Sequence, residues 1–309
     1  MIQKIEAPVL LIAFNRPDTT KIAFNSIREV KPKKLYVAID GLRKNKHGET
    51  ELCKQVVKIT QNVDWECDTK YLIREKNLGC KYGVTGAISW ALKNEDRVIV
   101  IEDDIVAVPA FFSYADELLE KYKDDERIAM ISANQYTPIE MENDYLFTKY
   151  GHIWGWATWK RVWSNFDVNV PYLENAVNKG LPSMNFESDI ERKYLKKYYL
   201  TWLTKIKNNT ENAWGPQFSF FRRQNGLLSI APKVNLASNI GTTSSRTDSV
   251  SKINKNYYPA DASYILSKHP IKIECDKEYG THHFKNHINR KTPLIKRVFN
   301  KALRIIKSL

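Results

Sequence analysis

The chain has 309 residues, 43% of them hydrophobic and 27% charged, with a formal net charge of +13 at pH 7. This length and apolar content suffice for one large α/β domain or two small ones, and the 12 glycines and 12 prolines are too few for a disordered or fibrous protein. No stretch has the length of a transmembrane helix. Residues 280–309 carry eight cations and no acid. The basic charge therefore belongs mostly to this tail, which argues against a nucleic-acid-binding surface spread over the domain.

The first hundred residues alternate between strand and helix patterns. Strands are predicted over residues 8–14, 34–39, 69–74 and 97–101, and helices from Pro17 and over residues 49–61 and 81–93. Pro17 suits the first helical position, where no amide donor is needed. This alternation predicts a mainly parallel sheet with helices on both faces, joined by right-handed crossovers.

The pattern changes beyond Pro109. Helices are predicted over residues 110–122, 189–206 and 217–224, and short strands over 128–132, 227–230 and 234–236. A tryptophan-rich segment spans residues 154–166, and the Ser/Thr-rich residues 241–255 predict a loop. The N-terminus lacks the features of a signal peptide, and Cys53, Cys67, Cys80 and Cys275 show no close pairing. We therefore expect reduced thiols in a cytoplasmic protein.

Residues 292–309 form the clearest amphipathic helix pattern. One half of the helical wheel is apolar and the other half carries Lys296, Arg297, Lys301, Arg304 and Lys307. A basic amphipathic helix at a terminus predicts binding in the plane of an anionic membrane surface. The alternative is a helix that docks its apolar face on the domain.

Three consecutive carboxylates, Glu102-Asp103-Asp104, follow the apolar run 97–101. The β-branched run predicts a buried parallel strand, whose C-terminal end lies at the edge of the sheet where open α/β folds bind ligands. Adjacent carboxylates repel each other unless they share a cation, and their hard oxygen atoms favour Mg²⁺ or Mn²⁺. The triplet therefore predicts a metal-assisted site for a phosphate-bearing ligand, with a solvated acidic turn as the alternative.

Polar residues also follow the three preceding strands: Asn15 and Arg16, then Asp40, then Arg74 with Asn77. Four strand ends of this kind describe a pocket with a base or sugar on one side and a metal on the other. The sequence contains neither a P-loop nor a G-x-G-x-x-G turn, so the metal and basic side chains would have to hold the phosphates.

Several of these segments also match a known family. They are the opening PVLLIAFNRP at residues 8–17, Asn77-Leu78-Gly79, IEDDI at 101–105 followed by PAFF at 109–112, and WGWATW at 154–159. Through them the sequence resembles A-type (GT-A fold) nucleotide-diphospho-sugar glycosyltransferases over about residues 8–241. It is closest to bacterial family 2-like enzymes and more distantly similar to N-acetylglucosaminyltransferase I.

The resemblance implies a division of the chain. A Rossmann-like GT-A domain would span residues 1–240, with a nucleotide-sugar-binding half at 1–108 and an acceptor half at 109–240. Residues 241–309 would form a C-terminal extension with the polar loop and the helix at 292–309.

The resemblance also implies roles for the strand-end residues. Those assigned to the donor are Arg16, Asp40, Arg74, Glu102 and Asp103. Arg16 and Asp40 would contact the base, taken to be uracil, Glu102 would face the sugar, and Asp103 would face the ribose or the metal. Asp104, the last residue of the family's D-x-D equivalent, would bind Mn²⁺ or Mg²⁺ through the diphosphate. Alternatively, Asp40 is a turn residue before Gly41 and Arg16 is a surface cation.

The acceptor side departs from the family pattern. A carboxylate that would serve as general base is expected just after Trp214, where Gly215 stands instead. Glu211 is the nearest acid and our assignment, with Glu187 and Asp189 as alternatives. This departure leaves open a non-catalytic, membrane-associated protein that binds nucleotide sugar or glycan. A nucleotidyltransferase is disfavoured because the Gly-rich, basic N-terminal loop is absent.

Trp154, Trp156 and Trp159 are assigned to the acceptor, since indole faces stack on sugar rings; the alternative is core packing. His282 and His283 could supply a metal ligand, but we expect them at the surface. The sequence as a whole predicts a metal-dependent, inverting glycosyltransferase at the inner face of a bacterial membrane. It would use a UDP-sugar to extend a lipid-linked or surface glycan.

Overall fold

The structure is a computed structural model that describes residues 5–44, 46–241 and 259–290. Within these residues the strands are β1 Val9–Ala13, β2 Lys34–Ile39, β3 Asp68–Ile73, β4 Arg97–Glu102, β5 Ile105–Ala107, β6 Ile128–Ser132, β7 Tyr145–Thr148, β8 Trp156–Trp159, β9 Leu228–Pro232 and β10 Ala237–Asn239. The helices are α1 Pro17–Val30, α2 Glu49–Gln61, α3 Gly79–Asn94, α4 Pro109–Lys121, α5 Lys160–Trp163, α6 Leu173–Asn178, α7 Asp189–Lys207, α8 Gly215–Gln224 and α9 Lys277–His283, the last followed by a π-helical turn, Phe284–Ile288.

Eight strands form one sheet in the order β3-β2-β1-β4-β8-β6-β9-β7. The first four are parallel, β8 is antiparallel to both β4 and β6, and β9 is parallel to β6. Six of the eight strands therefore point the same way, the exceptions being β8 and the edge strand β7. The predicted α/β class with a mainly parallel sheet is confirmed, and the arrangement is Rossmann-like and consistent with a GT-A fold.

The chain reverses its direction across the sheet after β3. It steps from β1 to β2 to β3 on one side, and β4 is then added on the other side of β1. Because parallel crossovers are right-handed, this reversal puts α3 on the face opposite α1 and α2. The contacts agree: α3 packs on β1, β4 and α5, whereas α1 packs on α2 and α4. The switch point between β1 and β4 is where an open α/β sheet binds ligands.

The burial of the central strands explains why the first half of the sheet could be predicted from the sequence. Strands β1, β2, β4 and β6 are buried over nearly their whole length, as strands covered by helices on both faces must be. β3 is an edge strand with alternating exposure. A second, smaller core joins α6, α7 and Phe220 of α8, so the helical part beyond β8 has its own apolar centre.

Three short strands were not predicted, and one was misplaced. β5 and β10 form a separate antiparallel ribbon in which Ala237 pairs with Ala107 and Asn239 with Ile105. The strand predicted at 234–236 therefore lies at 237–239, because its register is set by β5. β7 and β8 have four residues each, too few for a periodic pattern, and β8 coincides with the segment assigned to the acceptor.

The described residues 259–290 return to the sheet. Asp276 donates its backbone N–H to the carbonyl of Phe147 at 2.7 Å, and the Tyr264 hydroxyl donates to the carbonyl of Asp144 at 2.9 Å. The predicted helix at 292–309 and all but the first residue of the predicted loop at 241–255 lie outside the described residues, and the domain boundary after residue 240 stays a prediction. All four cysteines are free thiols. No helix of the described ranges has both the length and the apolar composition needed to cross a membrane.

Asp116 of α4 ties the segment before β1 to the helix layer. Its buried carboxylate accepts hydrogen bonds from the backbone N–H groups of Glu6 at 3.0 Å and Ala7 at 2.7 Å.

In Asp116→Asn, one acceptor oxygen becomes an amide donor facing a backbone donor. We expect the free energy of unfolding to fall by about 1–3 kcal/mol, measured by urea denaturation. Asp124→Asn, the same change at an exposed position, should change it by less than about 0.5 kcal/mol; equal effects of the two would contradict the prediction.

Candidate active site at the sheet switch point

The loops after β1 and β4 meet at the switch point. Arg16, just before α1, donates from Nη1 to Asp104 Oδ2 at 2.8 Å and from Nε to Asp103 Oδ2 at 3.4 Å. Its Nη2 donates to Asp103 Oδ1, and the backbone N–H of Phe14 donates to Asp103 Oδ2 at 3.2 Å. The guanidinium thus bridges two carboxylates from a neighbouring strand end. The structure brings three of the predicted site residues together.

The carboxylates of this cluster are poorly hydrated. The side chains of Asp103 and Asp104 are 4% and 12% exposed, against 34% for Arg16. Burial, then repulsion from Asp104 and Asp103, raises the pKa of Glu102 to about 8. Burial also raises the pKa of Asp103, although Arg16 opposes this. One guanidinium therefore does not fully compensate three acids.

The donor set fits a hard divalent ion at Asp104. Both oxygens of Asp103 accept hydrogen bonds from protein donors, whereas Asp104 uses Oδ2 for Arg16. Among the described residues, Asp104 Oδ1 makes no hydrogen bond or ion pair, and the excess of carboxylate charge favours a cation. Oxygen ligands of this kind match Mg²⁺ or Mn²⁺. Asp103 could join through the second lone pair of Oδ1, or by exchanging a hydrogen bond with Arg16.

The β5–β10 ribbon forms one side of this cluster. The backbone N–H of Ile240 donates to the carbonyl of Asp104 at 2.8 Å. A Cβ atom at Gly241 would lie 2.8 Å from Asp104 Oδ2 and 2.9 Å from Asn239 Oδ1, so this position accepts only glycine without displacement. Sequence reasoning missed Gly241 and Asn239, because their partner strand β5 carries no recognisable pattern.

Asp40 and Arg74 lie at the next strand ends and are engaged by the loop before α3 and by the first turns of that helix. Asp40 accepts from the backbone N–H groups of Leu78 and Gly79, both at 3.0 Å, and from Asn77 Nδ2 at 3.0 Å. Arg74 Nη1 donates to the carbonyl of Gly83 at 3.0 Å. The Asp40 carboxylate therefore anchors this loop, which leaves less of it for a nucleotide base than the sequence suggested.

A buried acid that was not predicted lies beside Asn15. Glu49, at the start of α2, accepts from Asn15 Nδ2 at 2.9 Å and from Arg43 Nε at 2.8 Å. Burial alone would raise the pKa of Glu49, but the hydrogen bonds and charge of Arg43 lower it. The Arg43 guanidinium also lies 5.2 Å from the centre of the Phe14 ring. These residues form a wall next to Arg16 that combines an ion pair with an aromatic ring.

Glu211, assigned as general base, is held in a buried ion pair. Its Oε2 lies 3.1 Å from Lys81 Nζ, with side-chain exposures of 5% and 8%. Gln217 Nε2 donates to Oε1 at 2.6 Å. Burial and the charges of Glu102, Asp104 and Glu211 raise the pKa of the Cys80 thiol to about 12. Glu211 and the triplet therefore lie within electrostatic range of the same thiol.

The alternative bases lie elsewhere. Glu187 accepts from Lys149 Nζ at 2.8 Å, next to the buried Glu191, and Asp189 is exposed at the start of α7. Glu191 itself accepts from the Tyr150 hydroxyl at 2.7 Å. Among the described residues, no hydrogen bond or ion pair joins these acids to the triplet.

The three tryptophans are divided between core and surface. Trp156 and Trp159 are 0% and 2% exposed; Trp156 stacks on Trp214 with ring centres 5.5 Å apart, and Trp159 Nε1 donates to the carbonyl of Leu119 at 2.9 Å. Their indole faces are thus covered by protein, as expected for the alternative that these tryptophans pack in the core. Trp154 is half-buried and packs edge-on against Tyr136, so it alone retains surface for an acceptor.

The expected surface position of His283 is wrong. His283 is fully buried, and its Nδ1 lies 2.8 Å from Thr137 Oγ1. The partner belongs to the segment after β6, so no local pattern could have placed this residue inside. His282 is half-buried.

No protein-family model matches this chain, and no curated protein matches it. Among solved structures, mouse xyloside xylosyltransferase 1 in its apo form is similar over 72% of this chain and 82% of its own, with 11% identity and a TM-score of 0.35. A UDP-glucose pyrophosphorylase solved with UDP-glucose is similar over 52% of this chain and 80% of its own, with 11% identity and a TM-score of 0.33. Similarity this low does not assign an activity.

The raised pKa of Glu102 has a consequence for stability. Because the folded state holds this proton more tightly than the unfolded state, the free energy of unfolding falls as pH rises from about 4.5 to about 8. The variant Glu102→Gln has no carboxyl group to titrate at this position, so its free energy of unfolding does not fall for this reason as pH rises. We expect the variant to melt on the order of 3 °C above the wild type at pH 8 and to match it at pH 4.5. Scanning calorimetry in metal-free buffer measures this.

The control is Glu126→Gln, the same change at an exposed acid, which should melt with the wild type at both pH values. A Glu102→Gln variant that gains equally at both pH values would show that packing, and not titration, is responsible.

Proposed function

We propose that this protein is a glycosyltransferase that uses a nucleotide-diphospho-sugar donor, a UDP-sugar in the first instance. It transfers the sugar with inversion to a glycan or lipid-linked saccharide in bacterial surface polysaccharide synthesis. The observation that carries the proposal is the cluster of Arg16, Asp103 and Asp104 at the switch point of the sheet. Buried carboxylates at this place, only partly compensated by one guanidinium, favour a metal-bound diphosphate.

On the donor side, Asp104 would hold Mn²⁺ or Mg²⁺, which when bound supplies a Lewis acid for the departing diphosphate. Arg16 keeps Asp103 and Asp104 oriented and lies close enough to offset diphosphate charge. The wall of Phe14, Arg43 and Glu49 suits the nucleoside, because a ring face and fixed hydrogen-bonding groups lie side by side there.

On the acceptor side, the hydroxyl oxygen would attack the anomeric carbon while the bond from that carbon to the diphosphate oxygen breaks. The hydroxyl proton needs an acceptor. Glu211 borders the same region, but Lys81 and Gln217 already engage both of its oxygens. To act as base it would accept the hydroxyl at the remaining lone pair of Oε2, beside the Lys81 ammonium, or exchange one of these contacts. This same engagement favours the second candidate, a non-catalytic protein that binds nucleotide sugar.

Hydrolysis of UDP-, GDP- and dTDP-sugars in the presence of Mn²⁺ tests the donor side. We expect one nucleotide class to be hydrolysed, and Asp104→Ala to lower that rate by about 100-fold or more, because the leaving group loses its electrostatic stabilisation. Asp124→Ala removes an exposed acid and should leave the rate unchanged.

Three results would redirect the assignment. Equal hydrolysis by wild type and Asp104→Ala would remove Asp104 from the metal site. Tight, metal-dependent binding of a sugar nucleotide without any turnover would favour the non-catalytic protein. Formation of a sugar nucleotide from a nucleoside triphosphate and a sugar 1-phosphate would indicate a nucleotidyltransferase.

We also propose that residues 292–309, outside the described ranges, bind an anionic membrane surface and keep the protein at the cytoplasmic face of the membrane. The support is the sequence pattern of an apolar face opposite Lys296, Arg297, Lys301, Arg304 and Lys307. Each cation near such a surface is worth about 1 kcal/mol of attraction.

Flotation with liposomes tests this proposal. The full chain should float with liposomes that contain phosphatidylglycerol and not with neutral ones. A variant with the five cations changed to glutamine should remain at the bottom with both. A matched variant with five glutamines at the exposed Lys31, Lys44, Lys46, Lys54 and Lys93 should still float. Equal flotation of the two variants would exclude the tail as the anchor.

A further inference from the structure

We propose that His152, His283 and His287 form a binding site for a divalent transition metal ion, Zn²⁺ in the first instance, separate from the acidic triplet. Each of the three residues offers one ligand nitrogen, and the three nitrogens lie within 4.8 Å of one another. Only six histidines occur in the 309 residues, and three of them meet at one point. They come from two segments that are distant in the chain, since His152 and His283 are 131 residues apart.

The spacing of the nitrogens suits one ion. His152 Nε2 and His283 Nε2 are 3.1 Å apart. Two nitrogens bound to one tetrahedral zinc ion at about 2.0–2.1 Å would be about 3.3 Å apart. The His283 and His287 rings have centres 4.9 Å apart and lie at 31° to each other. A shift of His287 by about 1.5 Å or less would complete a three-imidazole site.

The local helix geometry presents two of the ligands together. His283 is the last residue of α9, and His287 follows four residues later in the π-helical turn. Residues four apart share a helix face, and π turns recur at functional sites. The H-x-x-x-H spacing also occurs in zinc sites. It is visible in the sequence, but its third partner is not.

A second layer of hydrogen bonds orients the central ligand. The Nδ1 atom of His283 lies 2.8 Å from Thr137 Oγ1 and 3.4 Å from the Tyr279 hydroxyl. If Nδ1 carries the proton and donates to Thr137, the Nε2 lone pair faces His152. Metal-bound histidines are held in this way, with the second ring nitrogen hydrogen-bonded to the protein.

The electrostatic surroundings keep the ligands neutral. Burial lowers the pKa of His152 and His283 well below the ordinary value, with further lowering by neighbouring imidazoles, and lowers that of His287 to about 4. Neutral imidazole is the form that binds metal. The charges of Arg222 and Arg290 also act here and oppose any cation. An ion must therefore be held by direct bonds to nitrogen, which selects Zn²⁺ over Mg²⁺.

An ion at this site would fasten the described C-terminal segment to the sheet. α9 and the π turn would be joined to the loop between β7 and β8, which contains Trp154, the residue assigned to the acceptor. Tyr136 adds a fourth ring to the cluster and stacks on His287 with ring centres 4.8 Å apart at 18°. The ion would therefore act as a clip between these segments, and with three protein ligands it would keep a fourth position for water, as open zinc sites do.

Zinc binding to the full chain, freed of metal by a chelator, tests the proposal. Equilibrium dialysis against Zn²⁺ in excess Mg²⁺ should give one bound zinc ion per chain, and Zn²⁺ should raise the melting temperature. Co²⁺ in its place should give the strong visible absorption of tetrahedral cobalt. His287→Gln, at a half-buried position, should weaken Zn²⁺ binding by about 100-fold or more and abolish both the absorption and the rise in melting temperature.

His47→Gln removes an exposed histidine and should behave as the wild type. His152→Gln provides a second ligand variant, should His287→Gln fold poorly without metal. The proposal is overturned if the wild type binds no zinc, or if both histidine variants keep it. It is also overturned if zinc is lost in Asp104→Ala and retained in His287→Gln, since the ion would then belong to the triplet.

Discussion

The bridge from Arg16 to Asp103 and Asp104 holds the switch point together. Two nearly buried carboxylates on one loop would repel each other and lose hydration, so a cation from the neighbouring strand end is needed for the loop to adopt this conformation. The bridge fixes the start of α1 against the end of β4. The ribbon of β5 and β10 then closes on Asp104 through Ile240. A metal ion and a diphosphate that bind here would interact with the same carboxylates and guanidinium that form the bridge. Binding of the proposed donor would therefore be coupled to the order of these loops.

The region around α7 and α8 is built differently, from ion pairs that the protein itself completes. Glu211 is paired with Lys81, and Glu191 accepts from Arg223 Nη2 at 2.9 Å as well as from Lys149 and Tyr150. Such pairs are costly to break because a buried charge is left alone. They join α7 to α8 and to the segment after β7, and they join the segment before α8 to α3. In the proposed function, a catalytic step at Glu211 would therefore be constrained by contacts whose first role is structural.

The sequence was informative wherever function follows from strand order. The sequence predicted that Arg16, Asp103 and Asp104 lie close together. The strands before them have strong β-branched patterns, and parallel strands end at one edge of the sheet. The sequence was uninformative where a side chain could lie either in the core or at the surface. Trp154 and Trp156 are two residues apart, yet only Trp156 is covered by Trp214. Asp40 was correctly seen at a strand end, but the backbone donors of Leu78 and Gly79 that occupy it carry no sequence signal.

The histidine cluster and the triplet are connected through buried strands. The hydroxyl of Ser132 donates to the carbonyl of His152 at 2.9 Å, and Ser132 pairs with Trp156, which pairs with Val100 of β4. Two residues beyond Val100 the chain reaches Glu102. Because β6, β8 and β4 are packed without exposed backbone between them, an ion that stiffens the loop at His152 would also limit movement at the acceptor edge. The clip would thus act on the geometry between acceptor and donor without touching either.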